Sequence, residues 1–404
     1  MNIGIALLAL AYILSQFFRA FLAVLSPFLA SDLGAGPEDL ALASGMWFLT
    51  FAAMQLPIGW ALDTVGPRRT AASLLMVGGA GGAALFALAT TPAHVAIAMA
   101  LIGVGCAPVL MASYYIFALD HPPPRFAFLA ALMVGVGTLG NIVASYPTTL
   151  AAETMGWRAA LGGLSAIAAA TAAGIWFTVR DPLKEPAALK GSFAEVLRIR
   201  ALWFIFPLML VSYAEVGALR GLWIGPYLTE VLGAEPRLIG QATLAMGIAM
   251  VIGPMVYSPL DSLFGTRKWV IFVGSCGVLV STVGLIVLIE ASAFTVILLM
   301  CAIGFFGSTY PAIMSHGRSL LPRHLVGRGV TLLNLCSIGG VGAAQFITGR
   351  IYASTSAAEW EAYPFFLIFV FFSAILALGL VIYLFSTDTK PDKAETLSPA
   401  PKAV

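Results

Sequence analysis

Long, continuous runs of apolar residues dominate the chain, and short segments with charges, proline or glycine separate them. A transmembrane helix needs about 20 mostly apolar residues. Twelve runs are long enough, at residues 3–30, 38–62, 70–90, 94–119, 126–151, 157–179, 201–231, 237–260, 268–290, 293–315, 328–352 and 362–386. The runs lack the alternating pattern of a membrane β-barrel. We therefore expect an all-α integral membrane protein with twelve transmembrane helices.

The amino-acid composition excludes several classes of protein. Hydrophobic residues make up 60% of the chain and charged residues 10%, whereas a soluble domain carries about 25% charged residues. The net charge of +2 offers no basic field for nucleic acid. The four cysteines and four histidines are scattered, so we expect no metal and no cofactor. Without a Walker motif, ATP-driven transport has no support, and without clustered His or Asp we expect no enzyme.

The positive charges predict the topology. The first run lacks a basic n-region and a cleavage site, so we expect it to be a retained span. With both termini in the cytoplasm, 16 of the 21 Lys and Arg residues fall on the cytoplasmic side and three on the other. Cytoplasmic loops carry such an excess. We expect a multi-pass protein of a bacterial-type inner membrane.

The chain repeats itself after about 198 residues. Asp63 and Asp261 are 198 positions apart, and residues 26–34 resemble residues 225–233 at an offset of 199. Such a duplication predicts two pseudo-symmetric six-helix bundles, with a substrate site between them near the bilayer midplane. We place the bundles at 1–179 and 201–386, a cytoplasmic linker at 180–200, and a disordered cytoplasmic tail at 387–404.

The segment between the second and third runs carries a recognisable motif. Gly59, Asp63, Gly66, Arg68 and Arg69 form the pattern G-x-x-x-D-x-x-G-P-R-R. This pattern resembles the cytoplasmic loop signature of the major facilitator superfamily of secondary transporters. The resemblance implies a gating latch between the two bundles.

The motif departs from that signature in two places. Pro67 stands where the signature usually has a basic residue. The second copy, around Asp261, has Tyr257 in place of its first glycine and one extra residue before Gly265. This second latch is expected to be weaker.

Two features bear on the branch of the superfamily. Drug antiporters of the superfamily carry a motif with a Gly-Pro pair in their fifth span, and the fifth run of this chain lacks that pair. Arg19, eight residues before Pro27, resembles the first-helix arginine of the organic-anion and nitrate-type porters. The position that matches their second arginine is Ala218, and Arg220 lies two residues further on. The two-arginine clamp of those porters is therefore an open question here.

Three charged residues lie deep inside the predicted spans: Arg19, Glu215 and Arg220. Burying a charged side chain in the membrane costs free energy, so a charged residue within a span is a candidate for a functional role. We predict that the two arginines bind substrate, although Arg220 could instead extend toward the membrane surface. Gln16 shares a helix face with Arg19 and matches Glu215 at offset 199, so we expect Gln16 and Glu215 to face one cavity. Apolar surroundings favour a neutral carboxyl, so Glu215 is the candidate for proton coupling; an ion pair with Arg19 is the alternative.

Aromatic and amide side chains could line the same cavity, although each could equally be packing. The candidates for substrate binding are Trp223, Tyr213, Trp47, Tyr146 and Asn334. The glycine runs at 78–82 and 339–342 indicate close helix packing.

We therefore predict a monomeric, proton-coupled secondary transporter. Its partners are a small-molecule substrate, protons and the lipid bilayer. A small organic anion or a heteroaromatic nutrient, such as a riboflavin-like vitamin, suits the cavity, and import is favoured. The alternatives are a drug or metabolite efflux antiporter and a non-transporting membrane sensor or assembly factor.

Overall fold

The N-terminal half consists of six spans. The computed structural model describes residues 3–121, 123–182, 193–322 and 325–389. Span 1 is Ile3–Ala20 continued by Leu22–Leu33, span 2 is Pro37–Ala53 with Gln55–Thr64, span 3 is Pro67–Ala87, span 4 is Pro92–Asp120, span 5 is Pro123–Val143 with Tyr146–Met155, and span 6 is Trp157–Thr178. Span 2 bends by 41° and span 5 by 42° at their breaks.

The C-terminal half repeats this order after two short helices, Phe193–Leu197 and Arg200–Phe204. Span 7 runs through residues 206–232, span 8 is Pro236–Phe264, span 9 is Lys268–Val287, span 10 is Ala293–Ser319, span 11 is Val326–Thr355 and span 12 is Tyr363–Tyr383. Within the described ranges, nine helices are long and apolar enough to cross a membrane, or eleven with the two bent pairs. Span 7 completes the twelve.

The helices begin at residues that favour a helix start and not where the apolar runs begin. Proline opens spans 2, 3, 4 and 8, at Pro37, Pro67, Pro92 and Pro236, because the first helical position needs no N–H donor. Span 3 thus begins at Pro67 rather than at residue 70, and Arg68 and Arg69 belong to its first turn. The predicted run begins at residue 70 and leaves both arginines in a loop, because apolar runs do not detect a helical turn that carries charges.

Span 7 is the largest departure from the predicted runs. The run at 201–231 is not one helix: it begins with a 3₁₀ turn at Arg200–Phe204 and contains a π-helical turn at Leu219–Trp223. Such π turns are rare and occur frequently at functional sites. Apolarity specifies the length of a buried run but not its backbone geometry, so this break was not foreseen.

The backbone reproduces the duplication. Gly34 and Gly233 end the matched spans 1 and 7 in the left-handed conformation, with φ of 63° and 59°, which glycine adopts without strain. Gly140 and Gly340 occupy matched positions in spans 5 and 11. A Cβ on either residue would lie about 2 Å from a main-chain carbonyl oxygen of the first span of its half. The two halves are therefore packed in the same way.

Among the described residues, the main contacts between the halves lie toward one end of the molecule. We call the end with the turns at 64–67 and 265–267 the loop face, and the end with the turns at 34–36 and 233–235 the far face. Toward the far face, span 1 packs on span 7, span 2 on span 11 and span 5 on span 8. Toward the loop face, Gln55–Thr64 and Phe206–Val211 pack mainly within their own halves. The structure is therefore closed at the far face and open at the loop face.

Gly225→Ala should open the far face. A Cβ on Gly225 would lie 2.2 Å from the main-chain oxygen of Ala23 and 2.4 Å from Ser26 Oγ. Span 1 must move away from span 7 to relieve this overlap. We expect spin-label distances across the far face to lengthen in double electron–electron resonance. Gly163→Ala is the matched control, because a Cβ there meets open space; equal distances in both variants would contradict this closure.

Candidate functional site

Arg19 lies on an aromatic surface inside the bundle. Its guanidinium carbon is 5.3 Å from the ring centroid of Trp47 and 5.6 Å from that of Phe51. The two rings are stacked, with centroids 5.0 Å apart. Arg19 Nε has no hydrogen-bond partner, and no ion pair to Arg19 exists among the described residues. The alternative ion pair with Glu215 is not formed in this conformation.

Arg220 joins the two halves in the interior. It projects from the π-helical turn of span 7 and is 5% exposed. Its Nη1 donates to Asn141 Oδ1 at 2.9 Å, and its Nη2 donates to the Asn141 carbonyl at 2.8 Å and Ser145 Oγ at 3.4 Å. These acceptors lie where span 5 breaks and leaves carbonyls free. The partners are neutral, so the charge of Arg220 remains uncompensated.

Three tyrosines and two amide side chains gather near Arg19, in what we call the tyrosine cluster: Tyr12, Gln16, Tyr213, Tyr310 and Asn334. Gln16 Nε2 donates to the Tyr12 hydroxyl at 2.6 Å, and the Tyr310 hydroxyl donates to Asn334 Oδ1 at 2.8 Å. The rings of Tyr213 and Tyr310 are 5.6 Å apart. Tyr12 and Tyr310 both lie within electrostatic range of Arg19. The cluster therefore combines residues from both halves.

Glu215 lies apart from this cluster, within the C-terminal half. It is 2% exposed, and its Oε1 is hydrogen-bonded to the Thr282 hydroxyl of span 9. Its Oε2 has no partner. The expected sharing of one cavity with Gln16 is not seen, because Glu215 faces span 9 while Gln16 bonds within span 1. The match between the two repeats gives the position of a residue along its helix, but it does not show which neighbouring helix the side chain faces.

Two further candidates lie away from the tyrosine cluster. Trp223 is fully buried, donates its Nε1 hydrogen to Thr348 Oγ1 at 3.0 Å, and packs on Tyr352. Tyr146 packs against Gly240 of span 8, toward the far face. In this conformation Trp223 holds spans 7 and 11 together through its hydrogen bond to Thr348, and the main chain at Tyr146 contacts span 8.

The loop motif binds an acid that the sequence analysis missed. Gly66, at φ +104°, makes the turn into span 3. Asp181, just after span 6, accepts from the Arg68 main-chain N–H at 2.8 Å and lies 3.4 Å from Arg68 Nε. Asp63 is exposed and interacts with Tyr115 of span 4. The motif is thus held within its own half, and no latch between the halves is formed by the described residues.

The second copy has the same arrangement. Asp388, just after span 12, accepts from the Lys268 main-chain N–H at 3.0 Å and from Thr266 Oγ1 at 2.6 Å. Burial alone would raise the pKa of Asp388, but these hydrogen bonds hold it below its usual range. Asp261 pairs with Arg267 at 3.5 Å. The start of the predicted disordered tail, at 387–389, is therefore ordered by hydrogen bonds, and the remainder lies outside the described residues.

Asp63→Asn should slow transport and leave substrate binding nearly unchanged. Asp63 lies at the loop-face end of span 2, away from Arg19 and Arg220, and is exposed while the loop face is open. Its charge would therefore matter when the halves close there. Transport rates and ligand-induced thermal shifts measure the two effects separately. Asp120→Asn, the same change at an exposed loop-face position, serves as control. Loss of binding in folded Asp63→Asn protein would refute a gating role.

Comparisons with known proteins agree with this geometry. The sequence profile described as Major Facilitator Superfamily matches residues 8–224 and 206–403. A search of curated protein sequences finds no match. Similar solved structures include a D-xylose-proton symporter, at 14% identity with a TM-score of 0.76, covering 95% of this chain and 97% of that one. The nucleoside transporter NupG is 13% identical with a TM-score of 0.75 and coverages of 95% and 99%.

A bacterial homolog of the human lysosomal transporter Spinster, in an inward-facing and occupied conformation, is 16% identical, with a TM-score of 0.72 and coverages of 95% and 96%. The TM-scores of 0.72 to 0.76 establish a shared fold. The profile match extends over nearly the whole chain, which therefore belongs to the Major Facilitator Superfamily of membrane transporters.

Proposed function

We propose that the protein is a proton-coupled secondary transporter that imports a small organic anion by alternating access. The observation that carries this proposal is the pair of interior arginines, Arg19 and Arg220, neither of which has an acidic partner among the described residues. A buried charge without a counter-ion is expensive. An anionic substrate would supply the missing negative charge to both.

The helical segments that carry the two arginines are in contact with each other. The main-chain oxygen of Arg19 lies 3.4 Å from where a Cβ of Gly221 would be, next to Arg220, and the two guanidinium groups interact electrostatically. Planar guanidinium groups bind carboxylate or phosphate through paired hydrogen bonds. The Nε atoms of Arg19 and Arg220 have no hydrogen-bond partner, so each arginine keeps an N–H group that could donate to a ligand.

The surrounding rings favour a substrate with a flat or apolar part. Trp47 and Phe51 form one wall beside Arg19, and the rings of Tyr213 and Tyr310 contact each other nearby at an interplanar angle of 47°. Aromatic side chains stack on planar groups and tolerate polar edges. An anionic heteroaromatic nutrient, including a riboflavin-like vitamin, would use both the charge and the rings.

The orientation follows from the positive residues. The excess of Lys and Arg at the loop face supports a cytoplasmic location for that face and for both termini in the inner membrane. The conformation described above is then open to the cytoplasm. The shared fold with a D-xylose-proton symporter supports coupling of transport to protons.

Arg19→Lys tests the substrate site. The substitution keeps the charge but loses the planar fork, and a charge-assisted hydrogen bond is worth about 1.5–3 kcal/mol, so binding should weaken by tens-fold or more. The ligands would be carboxylates and organic phosphates, each with a neutral counterpart, such as benzoate with benzamide and nicotinate with nicotinamide. Thermal stabilisation of the purified protein reports binding.

Arg328→Lys is the matched control. The guanidinium carbon of Arg328 lies 5.8 Å from the ring centroid of Phe193, so this arginine also packs on an aromatic ring, but outside the proposed site. We expect anions to stabilise the native protein and the control, and neutral counterparts to have little effect. Equal stabilisation by both kinds of ligand, or normal anion binding by Arg19→Lys, would refute the proposed site.

A further inference from the structure

Two hydrogen bonds between spans 7 and 11 bracket the π-helical turn of span 7. Just before the turn, Gln345 Nε2 donates to the main-chain carbonyl of Ala218 at 3.3 Å. At the last residue of the turn, Trp223 Nε1 donates to Thr348 Oγ1 at 3.0 Å. The turn carries Arg220. Span 11 therefore holds both ends of the turn from which this arginine projects.

The residues of span 11 that make these contacts lie on one face of the helix. Val341, Gln345 and Thr348 follow one another at spacings of four and three residues, which places their side chains on the same side of a helix. A Cβ on Gly217 would lie 3.0 Å from the Val341 side chain, so the spans are already in close contact before the turn begins. One face of span 11 therefore follows span 7 from Gly217 to Trp223.

The amide of Gln345 contributes a donor to this contact. Gln345 is 0% exposed, and its Oε1 has no hydrogen-bond partner. Burying an amide costs free energy unless it is hydrogen-bonded, so packing alone would favour an apolar side chain at this position. The Ala218 carbonyl can only accept, which fixes the amide with its nitrogen toward span 7. What the buried amide adds is therefore its bond to the carbonyl beside the π turn.

The other π-helical turn among the described residues is held in the same way. It is Leu75–Ala80 in span 3, and the Ser165 hydroxyl of span 6 donates to the Ala80 carbonyl at 2.8 Å. A π turn closes its hydrogen bonds over one residue more than an α turn. Backbone groups freed by such irregularities are satisfied by neighbouring helices. In both turns, a side chain of an adjacent span donates to a carbonyl at the edge of the turn.

The π turn sets the direction of Arg220 relative to the rest of span 7. Beyond the turn, Gly225 fits against span 1, where a Cβ would lie 2.2 Å from the Ala23 carbonyl oxygen. Within the turn, Arg220 reaches Asn141 and Ser145 of span 5. Because the turn includes one residue more than an α turn, a regular α-helix would rotate one of these contacts out of register. The π turn allows span 7 to make both contacts at once.

We propose that Gln345 is a positioning residue for anion binding, because it holds the π turn that directs Arg220 into the substrate site. This inference rests on the proposed function, in which Arg220 binds the substrate. Gln345→Met removes the donor and keeps a side chain of similar length, so the protein should fold. We expect anion binding to weaken by about tenfold, the effect of losing one hydrogen bond to a charged group.

Hydrogen–deuterium exchange on the purified full-length protein tests the hold on the turn without any ligand. Gln345→Met should speed exchange of the amides at 219–223, because local opening becomes easier when a bracketing bond is lost. Ser165→Ala is the matched control, since it removes the equivalent bond in span 3. It should speed exchange at 75–80 and leave 219–223 unchanged. Unchanged exchange at 219–223 in folded Gln345→Met protein would overturn the proposal.

Two variants of Thr348 test the other end of the turn. Thr348→Val removes the acceptor of the Trp223 indole N–H, so it should also speed exchange at 219–223. Thr348→Ser keeps a hydroxyl group at this position and should restore the native rate. Equal exchange in these two variants would contradict the bracketing of the turn by hydrogen bonds.

Binding of nicotinate, with nicotinamide as the neutral counterpart, tests the link to Arg220. Gln345→Met should weaken nicotinate binding by about tenfold in the native background and have no effect in the Arg220→Lys background. A residue that acts through Arg220 adds nothing once that arginine is replaced. Ser165→Ala should bind nicotinate as the native protein does. Equal weakening in both backgrounds would overturn the positioning role.

Failure of the proposed function looks different. A native protein that binds neither carboxylates nor organic phosphates would refute the substrate site, and the positioning role with it. Unchanged exchange at 219–223 in Gln345→Met would instead overturn the hold on the turn and leave the substrate site standing.

Discussion

Asn141→Asp is expected to weaken anion binding by about tenfold or more while the protein stays folded. The substituted side chain has the same shape, and its carboxylate would take the position 2.9 Å from Arg220 Nη1. It would neutralise Arg220 from within and repel an incoming anion. Two unit charges 4 Å apart interact by about 4 kcal/mol at an effective dielectric constant of 20, and about 1.4 kcal/mol corresponds to tenfold.

Asn141→Ala is the matched comparison. It removes the side-chain acceptor and leaves the charge of Arg220 free, so it should lower the melting temperature but retain anion binding. Thermal stability and the dissociation constant of the tightest anion would be measured for both variants. If Asn141→Asp binds the anion as well as the native protein does, Arg220 is a structural tie between spans 5 and 7 and not a substrate residue.

Glu215→Gln is expected to exchange substrate across the membrane without accumulating it. Glutamine has the shape of the protonated carboxyl group, and its amide oxygen can accept from the Thr282 hydroxyl as the Glu215 carboxyl oxygen does. Substrate binding and the conformational change should therefore persist. The variant cannot release a proton, so an imposed pH gradient cannot drive uptake. Proteoliposomes measure exchange with substrate on both sides, and accumulation with a pH gradient.

Glu230→Gln is the matched control for coupling. Glu230 lies on the same span, toward the far face, and also bonds a hydroxyl, that of Tyr352, at 2.6 Å. We expect it to retain pH-driven accumulation. Full accumulation by Glu215→Gln would eliminate Glu215 as the coupling site, and loss of both exchange and binding would indicate a purely structural role.

The lengths and order of the spans could be predicted because burial in lipid requires continuous apolar runs. The duplication was equally visible, since Asp63 and Asp261 share a register. Span 7 could not be predicted, because a π turn and a continuous helix have the same apolar composition. The open loop face was also beyond the sequence, because two conformations of one chain share every residue.

The candidate site was only partly accessible from the sequence. Arg19 and Arg220 were identifiable because charges within a span are rare. Their neighbours, Phe51 and Asn141, could not be assigned, because the sequence does not specify which helix faces which. Thr282 looks like any helical threonine.

Asp181 and Asp388, which accept the main-chain N–H of Arg68 and Lys268, were missed. Each follows the last span of its half by a few residues, but they are 207 positions apart and therefore fall outside the offset of 198 to 199 that reveals the repeat. They were missed because an acid beside basic residues in a loop usually remains solvated.

Accumulation of the tightest-binding anion in proteoliposomes tests the proposed transport most directly. The purified protein would be reconstituted, and labelled anion would be followed with and without an imposed pH gradient, acidic outside. We expect the anion to concentrate inside only with the gradient, and collapse of the gradient by a protonophore to abolish the effect. Equal internal and external concentrations under both conditions would contradict proton-coupled import and leave the protein as a facilitator.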